Sequence, residues 1–298
     1  MRVHLSERRL AVLLLIPAAI LLIVFYYYPI VQTLIFSVFD LDHTTDWLHA
    51  PFVGLGNYIE VLKSAQFWLS MRFTLYFTVV AVFLEFWLGL GMAMATFWVT
   101  PKLRGLLRTL IIIPWAIPQV IQASMWKWLF NADMGLIGDI LVKLGIVSKG
   151  PLFLVDPALA VHSVIAAYIW KTSCVTAIFL MGGLAMVPQH LIDAAKMDGA
   201  RAWMRFWKIT LPLIKPTILV VLLFRVGDGL RVFDIVYGLT GGGPGTMTDT
   251  LSSFAYKFYF RFVQFGLGSA YAVVTFILVF SIALYYIRKV YPHFTFRG

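Results

Sequence analysis

The strongest constraint on this chain is its series of long apolar runs. The first, residues 10–28, carries no charged residue. A membrane-spanning helix needs about 20 mostly apolar residues. Six segments meet that length: 10–38, 70–99, 109–130, 157–186, 216–238 and 265–287. Several exceed it, as tilted helices do. The second to fifth are interrupted by Gly, Pro or charge, the pattern of a bundle that lines a polar path. Hydrophobic residues make up 61% of the chain and charged residues 13%, against about 25% charge in a soluble domain. So little charge cannot cover a water-facing surface. The sequence therefore predicts an all-α membrane protein of six transmembrane helices. The first run is too long, and too aromatic at Phe25, Tyr26, Tyr27 and Tyr28, for a cleaved secretory signal, and it reads as a retained span.

Basic residues orient the spans. Arg2, Arg8, Arg9, Lys102, Arg104, Arg108, Lys196, Arg201, Arg205, Lys208, Lys215, Arg288, Lys289 and Arg297 fall on one side, fourteen in all. Lys63, Lys143, Lys149, Lys257 and Arg261 fall on the other. Positive charge marks the cytoplasmic face, so both termini are expected there, in the inner (cytoplasmic) membrane. The net charge of +10 is thus explained by topology and lipid contact, and nucleic acid is not called for. Cys174 is a lone thiol in an apolar stretch and reads as a small buried side chain. His162 has no companions of metal-ligand spacing. The first outer loop, about 39–69, is expected to carry a short helix near residues 58–63.

One cytoplasmic segment is more specific. It reads Asp193-Ala194-Ala195-Lys196-Met197-Asp198-Gly199-Ala200, continues from Arg201 to Lys208, and closes on Ile209-Thr210-Leu211-Pro212. Pro188 suits a helix start, and Gln189 to Met197 favour helix. Gly199 ends it or admits another backbone. Ala200 to Ile209 are expected to form a second amphipathic helix bearing Trp203, Phe206 and Trp207.

This segment resembles the EAA loop of binding-protein-dependent ABC importer permeases. Their pattern is Glu-Ala-Ala, three residues, Gly, nine residues, Ile, one residue, Leu-Pro. Ala194, Ala195, Gly199, Ile209, Leu211 and Pro212 fall in register, and Asp193 replaces the usual Glu. Residues 118–126, Trp170-Lys171-Thr172 and residues 233–244, including Leu239-Thr240-Gly241-Gly242-Gly243-Pro244, are similar to the carbohydrate-uptake branch. The first-type membrane subunits of trehalose or maltose importers are the nearest likeness.

The resemblance implies a type I importer permease fold. The whole chain, 1–298, would be one transmembrane domain, with a family-type core at about 70–287 and a coupling loop at 187–212. Asp193, Ala194, Ala195, Asp198, Gly199, Ala200 and Arg201 would dock on a separate ATPase. Implied partners are a second six-span subunit, two ATP-binding subunits that hold ATP and Mg, and an extracytoplasmic sugar-binding protein. The chain itself would hold no cofactor, no metal and no catalytic residue. It lacks Gly-x-x-x-x-Gly-Lys-Ser/Thr, and the glycine-rich run 241–245 has no Lys.

Charges within spans are functional candidates because facing them to lipid is costly. Arg225, Asp228, Arg231 and Asp234 are spaced by three along the fifth span and, in one continuous helix, share a slowly drifting side. Asp228 and Arg231 would contact sugar hydroxyls, or Arg225–Asp228 and Arg231–Asp234 would pair. Lys171 and Thr172 would face the cargo, with Glu85 or Asp228 as other partners for Lys171. Glu85 and Gln122 complete the expected substrate set, and Gln119 offers a further hydrogen bond. Pro114 and Pro118 are expected to shape the third span. Trp126, Trp128 and the Tyr26–Tyr28 cluster suit interfacial anchors. An ion-coupled secondary transporter is the main alternative, but such folds often carry inverted repeats, which are not evident. A membrane enzyme finds no nucleophile–base–orienter set. Cargo stays open among disaccharides, other oligosaccharides and glycerol phosphate.

Overall fold

The computed structural model describes residues 7–46 and 48–290. Arg2 and Arg297, counted above for topology, lie outside them. Secondary structure among these residues is helical apart from two isolated β-bridges.

Among the described residues, four helices are each long and apolar enough to cross a membrane. They are α1 (Leu10–Phe36), α3 (Ala65–Trp98), α7 (Pro157–Ala185) and α13 (Phe265–Tyr285). Helix α2 (Gly56–Lys63) fills the expected position in the first loop. Two bent pairs raise the number to six if each makes one span. Helices α4 (Pro101–Ala116) and α5 (Gln119–Leu129) meet at 92°. Helices α9 (Ala202–Leu213) and α10 (Lys215–Leu230) meet at 68°. The shorter helices are α6 (Leu136–Lys143), α8 (Gln189–Met197), α11 (Asp234–Leu239) and α12 (Leu251–Tyr256).

Proline explains the first bend. Pro114 lies inside α4 and removes one N–H, and Pro118 offers none at the break. The residue before a proline is driven out of the helical region, and Ile117 is accordingly extended, at φ −73° and ψ 126°. The third span is therefore two helices, and the single helix expected over 109–130 is corrected. The fifth span also departs from the uninterrupted 216–238: α10 stops at Leu230, and Asp234 begins a new helix.

The chain forms two compact units. One comprises residues 7–46, 48–64 and 254–276. Within it, Asn57 donates to the Ser37 and Phe39 carbonyls at 3.0 and 2.8 Å, and Ser37 Oγ meets Tyr58 Oη at 2.6 Å. These bonds fold α2 against the end of α1. The other unit, residues 65–253 with 277–290, holds the bundle core.

Two hydrophobic clusters build that core. One gathers Phe73, Phe77, Val164, Tyr168, Ile235 and Leu239, and the other Leu90, Ala177, Leu180, Ile214 and Val221. Small residues let the helices approach, since lipid gives helices no apolar incentive to associate. A Cβ at Gly89 of α3 would lie 2.7 Å from Thr176 Cγ2 on α7. At Gly183 it would lie 2.8 Å from Thr217 Oγ1 on α10. Gly89→Leu should therefore force α3 from α7, at about 1–3 kcal/mol for an overpacked core. A lowered thermal midpoint of the detergent-solubilised protein checks this, and an unchanged one refutes it. Trp126 belongs to this interior, against Phe130 at 5.1 Å and Trp170 at 5.8 Å. Its expected role as an interfacial anchor is corrected, whereas Trp128 and Tyr26–Tyr28 are exposed.

Candidate functional site

A cavity of about 580 Å³ opens where the broken helices meet α7. Trp115 and Gln119 flank the break between α4 and α5, and Tyr168, Lys171, Thr172 and Val175 come from one side of α7. Arg225 and Asp228 come from α10. The five consecutive residues from Arg231 to Ile235 complete the wall. In a continuous helix, neighbours point 100° apart and five in a row cannot share a side. They do so here because α10 ends at Leu230 and the chain turns before α11.

The break is secured by polar bonds. Thr250 Oγ1 donates to the Val232 carbonyl at 2.8 Å, and Leu251 N donates to Thr74 Oγ1 at 3.2 Å. Buried backbone groups freed by an ended helix need such partners.

Asp228 sits between two guanidinium groups. Arg225 Nη2 donates to its Oδ2 at 2.5 Å, and Arg231 Nη2 to its Oδ1 at 2.9 Å. Arg231 Nε also donates to the Gly227 carbonyl at 3.0 Å. Arg231 is the C-cap of α10, where the helix dipole favours positive charge. The expected pair Arg225–Asp228 is present. The pair Arg231–Asp234 is not: Arg231 turns back to Asp228, and Asp234 opens α11, where an acidic residue complements the dipole.

Lys171 pairs with neither Glu85 nor Asp228. Its Nζ donates to the Ile117 carbonyl at 2.6 Å and to Gln119 Oε1 at 3.3 Å. Thr172 Oγ1 donates to the Tyr168 carbonyl at 3.0 Å. Glu85 is fully buried on α3. Gln122 is also buried, with Nε2 donating to the Ala167 carbonyl at 2.6 Å, a pin between α5 and α7. Thus Lys171, Thr172, Arg225, Asp228 and Arg231 converge on the cavity, while Glu85 and Gln122 stand behind its wall. Gly229 meets Thr78 of α3, with a Cβ placed 3.0 Å from Cγ2, and serves packing.

Sequence reasoning missed Trp115, Tyr168 and Phe233. Tyr168 had a signal, since it lies one turn before Thr172 on the same face of α7. Trp115 and Phe233 had none, because only the breaks turn them inward.

The segment with the EAA-like pattern folds as helix, bend, helix. Pro188 is the N-cap of α8, one position before its first helical residue. Gly199 has φ +78°, a left-handed conformation that side chains other than glycine rarely adopt. A Cβ there would meet nothing within 4 Å. The second helix begins at Ala202, two residues later than expected, because Arg201 is extended, and residues 206–210 form a π turn. Arg205 Nη1 donates to the Ala200 carbonyl at 2.5 Å and braces the bend. Ala195, Asp198, Gly199, Ala200, Arg201 and Met204 line a hollow of about 480 Å³. Asp193 and Ala194 lie on α8 beside it. The Lys196 ammonium at 2.7 Å and the Gln189 amide at 3.1 Å hold the Asp193 carboxyl below the usual carboxylate range. The shorter Asp side chain is thus occupied within its own helix.

Residues 87–292 match the family described as binding-protein-dependent transport system inner membrane component. The trehalose/maltose transport system permease protein of Thermococcus litoralis is 42% identical over 240 residues, covering 80% of this chain and 79% of the relative. The sulfoquinovosyl glycerol transport system permease protein of Agrobacterium fabrum is 38% identical over 284 residues, covering 95% and 91%. In fold, a chain of a bacterial ABC transporter that imports the acidic polysaccharide alginate superposes with a TM-score of 0.83, at 24% identity and 94% coverage of both chains. A chain of a bacterial alginate ABC transporter in complex with an alginate pentasaccharide-bound periplasmic protein is also similar (TM-score 0.81, 23% identity, 93% and 92% coverage). With its broken helices around a polar cavity and its helix–glycine–helix segment, this chain belongs to the binding-protein-dependent transport system inner membrane components, as a membrane-embedded permease subunit of an ABC importer and not an enzyme.

Proposed function

We propose that the cargo is a neutral carbohydrate, a disaccharide such as trehalose or maltose, and that the 580 Å³ cavity is this subunit's part of its path. The observation that carries the reading is that every cation in the wall already has a hydrogen-bond acceptor within the protein. Both guanidinium groups are committed to Asp228, and the Lys171 ammonium to a carbonyl and an amide. What remains is hydrogen-bonding capacity in a wall that also contains the aromatic residues Trp115 and Phe233, which suits hydroxyls and sugar rings better than a phosphate. The relatives' named cargoes support a carbohydrate: trehalose/maltose is neutral, whereas sulfoquinovosyl glycerol carries a sulfonate and alginate is acidic, so neutrality rests on the wall alone.

In this reading the chain acts as a single permease domain and forms half of the translocation path with a second six-span subunit. Two ATP-binding subunits bind ATP and Mg and engage the bend at Gly199, next to Asp193, Ala194, Ala195, Asp198, Ala200 and Arg201. An external sugar-binding protein delivers cargo to the opposite face. Both termini lie in the cytoplasm, as the distribution of basic residues supports. Switching is a rigid-body change between two packings.

The test is uptake by the reconstituted transporter with labelled trehalose, maltose and glycerol phosphate in parallel. Uptake of a disaccharide that needs ATP and the binding protein is expected. Uptake of glycerol phosphate alone would overturn the neutral-cargo reading, and uptake by this chain without ATPase subunits would overturn the coupling.

A further inference from the structure

The 92° break between α4 and α5 leaves backbone unsatisfied. The last carbonyls of a helix have no partner within it, and Pro118 brings no N–H to the turn. Ile117 N bonds only weakly back to the Pro114 carbonyl, at 3.4 Å. The Ile117 carbonyl receives instead the Lys171 ammonium, at 2.6 Å, from the middle of α7. The same ammonium reaches Gln119 Oε1, the first residue of α5, at 3.3 Å. One cation therefore holds both sides of the break, and its charge suits the C-terminal end of α4. Its residue is 8% exposed, and it projects from the most buried span of the four, α7.

The two residues that flank the break, Trp115 and Gln119, are also cavity wall. We infer that Lys171 is a positioning residue: it clamps the α4–α5 break to α7 and so sets Trp115 and Gln119 in the cargo cavity, without itself being the cargo's ligand. This rests on the carbohydrate-path reading above. It accounts for a charge inside a span that forms no ion pair with Glu85 or Asp228. It also gives the break a fixed angle, which prolines alone do not, since they remove hydrogen bonds without supplying one.

The experiment measures the break directly. Cys174 is changed to Ala, and spin labels are placed at Leu106→Cys on α4 and Trp128→Cys on α5, both exposed positions. Distances across the break are then read by pulsed electron resonance in the assembled transporter in lipid nanodiscs. Lys171→Met is expected to lengthen and broaden the distance distribution and to lower disaccharide uptake by about ten-fold or more, as for loss of a charged hydrogen bond. Lys171→Arg, which keeps a cationic donor, should restore a narrow distribution and most uptake. Lys171→Gln, a neutral donor, should fall between, and it substitutes if Lys171→Met does not assemble. An unchanged distribution with lost uptake would make Lys171 a direct cargo ligand and overturn the proposal. An unchanged distribution with normal uptake, or a shifted one with normal uptake, would overturn it too. Distances are read without cargo, so absence of disaccharide uptake in the Lys171-containing parent would count against the carbohydrate reading alone.

Discussion

Gly199→Val is expected to uncouple the transporter: ATP hydrolysis by the partner subunits continues, and uptake falls by about ten-fold or more. Two effects combine. The φ of +78° at this bend is left-handed, which costs an L-residue roughly 1–2 kcal/mol and is a true outlier for a β-branched one. The new side chain would also project into space that is empty within 4 Å in this chain and that the proposed ATPase contact would fill. Gly199→Asn separates the two effects, because Asn tolerates the left-handed region while still adding bulk. Loss of coupling in both variants points to the filled contact. Loss in the valine variant alone points to the backbone. Stimulated ATPase activity and uptake are measured on the same assembled preparation, and normal coupling in both variants would sink the docking role of Gly199.

The second large effect is expected at Asp228. It is the common partner of Arg225 and Arg231, whose side chains are 11% and 61% exposed. Asp228→Asn keeps the shape and removes the charge, leaving Arg225 poorly compensated. Stranding one partner of a buried pair costs about 3–5 kcal/mol, and the 40% exposure of Asp228 brings that to about 1–3 kcal/mol here. Uptake should fall by an order of magnitude or more as the α10–α11 break loses its tie. The double variant Arg225→Gln/Asp228→Asn should recover stability relative to Asp228→Asn, because neither charge is then stranded. Recovery of uptake along with stability would assign Asp228 to architecture only. Restored stability with uptake still lost would leave Asp228 in contact with cargo. If Asp228→Asn transports normally, the cavity assignment fails.

The apolar runs were readable as spans because a bilayer demands length and low charge, and both are local properties of sequence. Cys174 and the short helix α2 were readable for similar reasons. The Gly199 bend was readable because a left-handed turn after Gln189–Met197 needs a residue without Cβ. The cavity was only partly readable. Arg225, Asp228 and Arg231 announced themselves as charges in an apolar span, and the pair Arg225–Asp228 was readable, but the partner of Arg231 was not. Three-residue spacing assumed one helix through Asp234, and α10 ends at Leu230. Glu85 and Gln122 looked like Lys171 in the sequence, as polar groups in apolar company. They differ only in direction, which depends on how α3, α5 and α7 rotate against one another.

The sequence by itself determined the six apolar segments, the basic asymmetry that argues for their orientation, and the helix–glycine–helix segment that carries the family pattern. Each follows from transfer energy or backbone sterics acting over a few neighbouring residues. Only the tertiary structure decided that the third and fifth spans are broken, that one ammonium on α7 bridges the first break, and that five consecutive residues after Leu230 line one cavity. Proline permits a bend but does not fix its angle. The angle comes from hydrogen bonds between residues 54 and 52 positions apart, Lys171 with Ile117 and Gln119, and no local pattern encodes those.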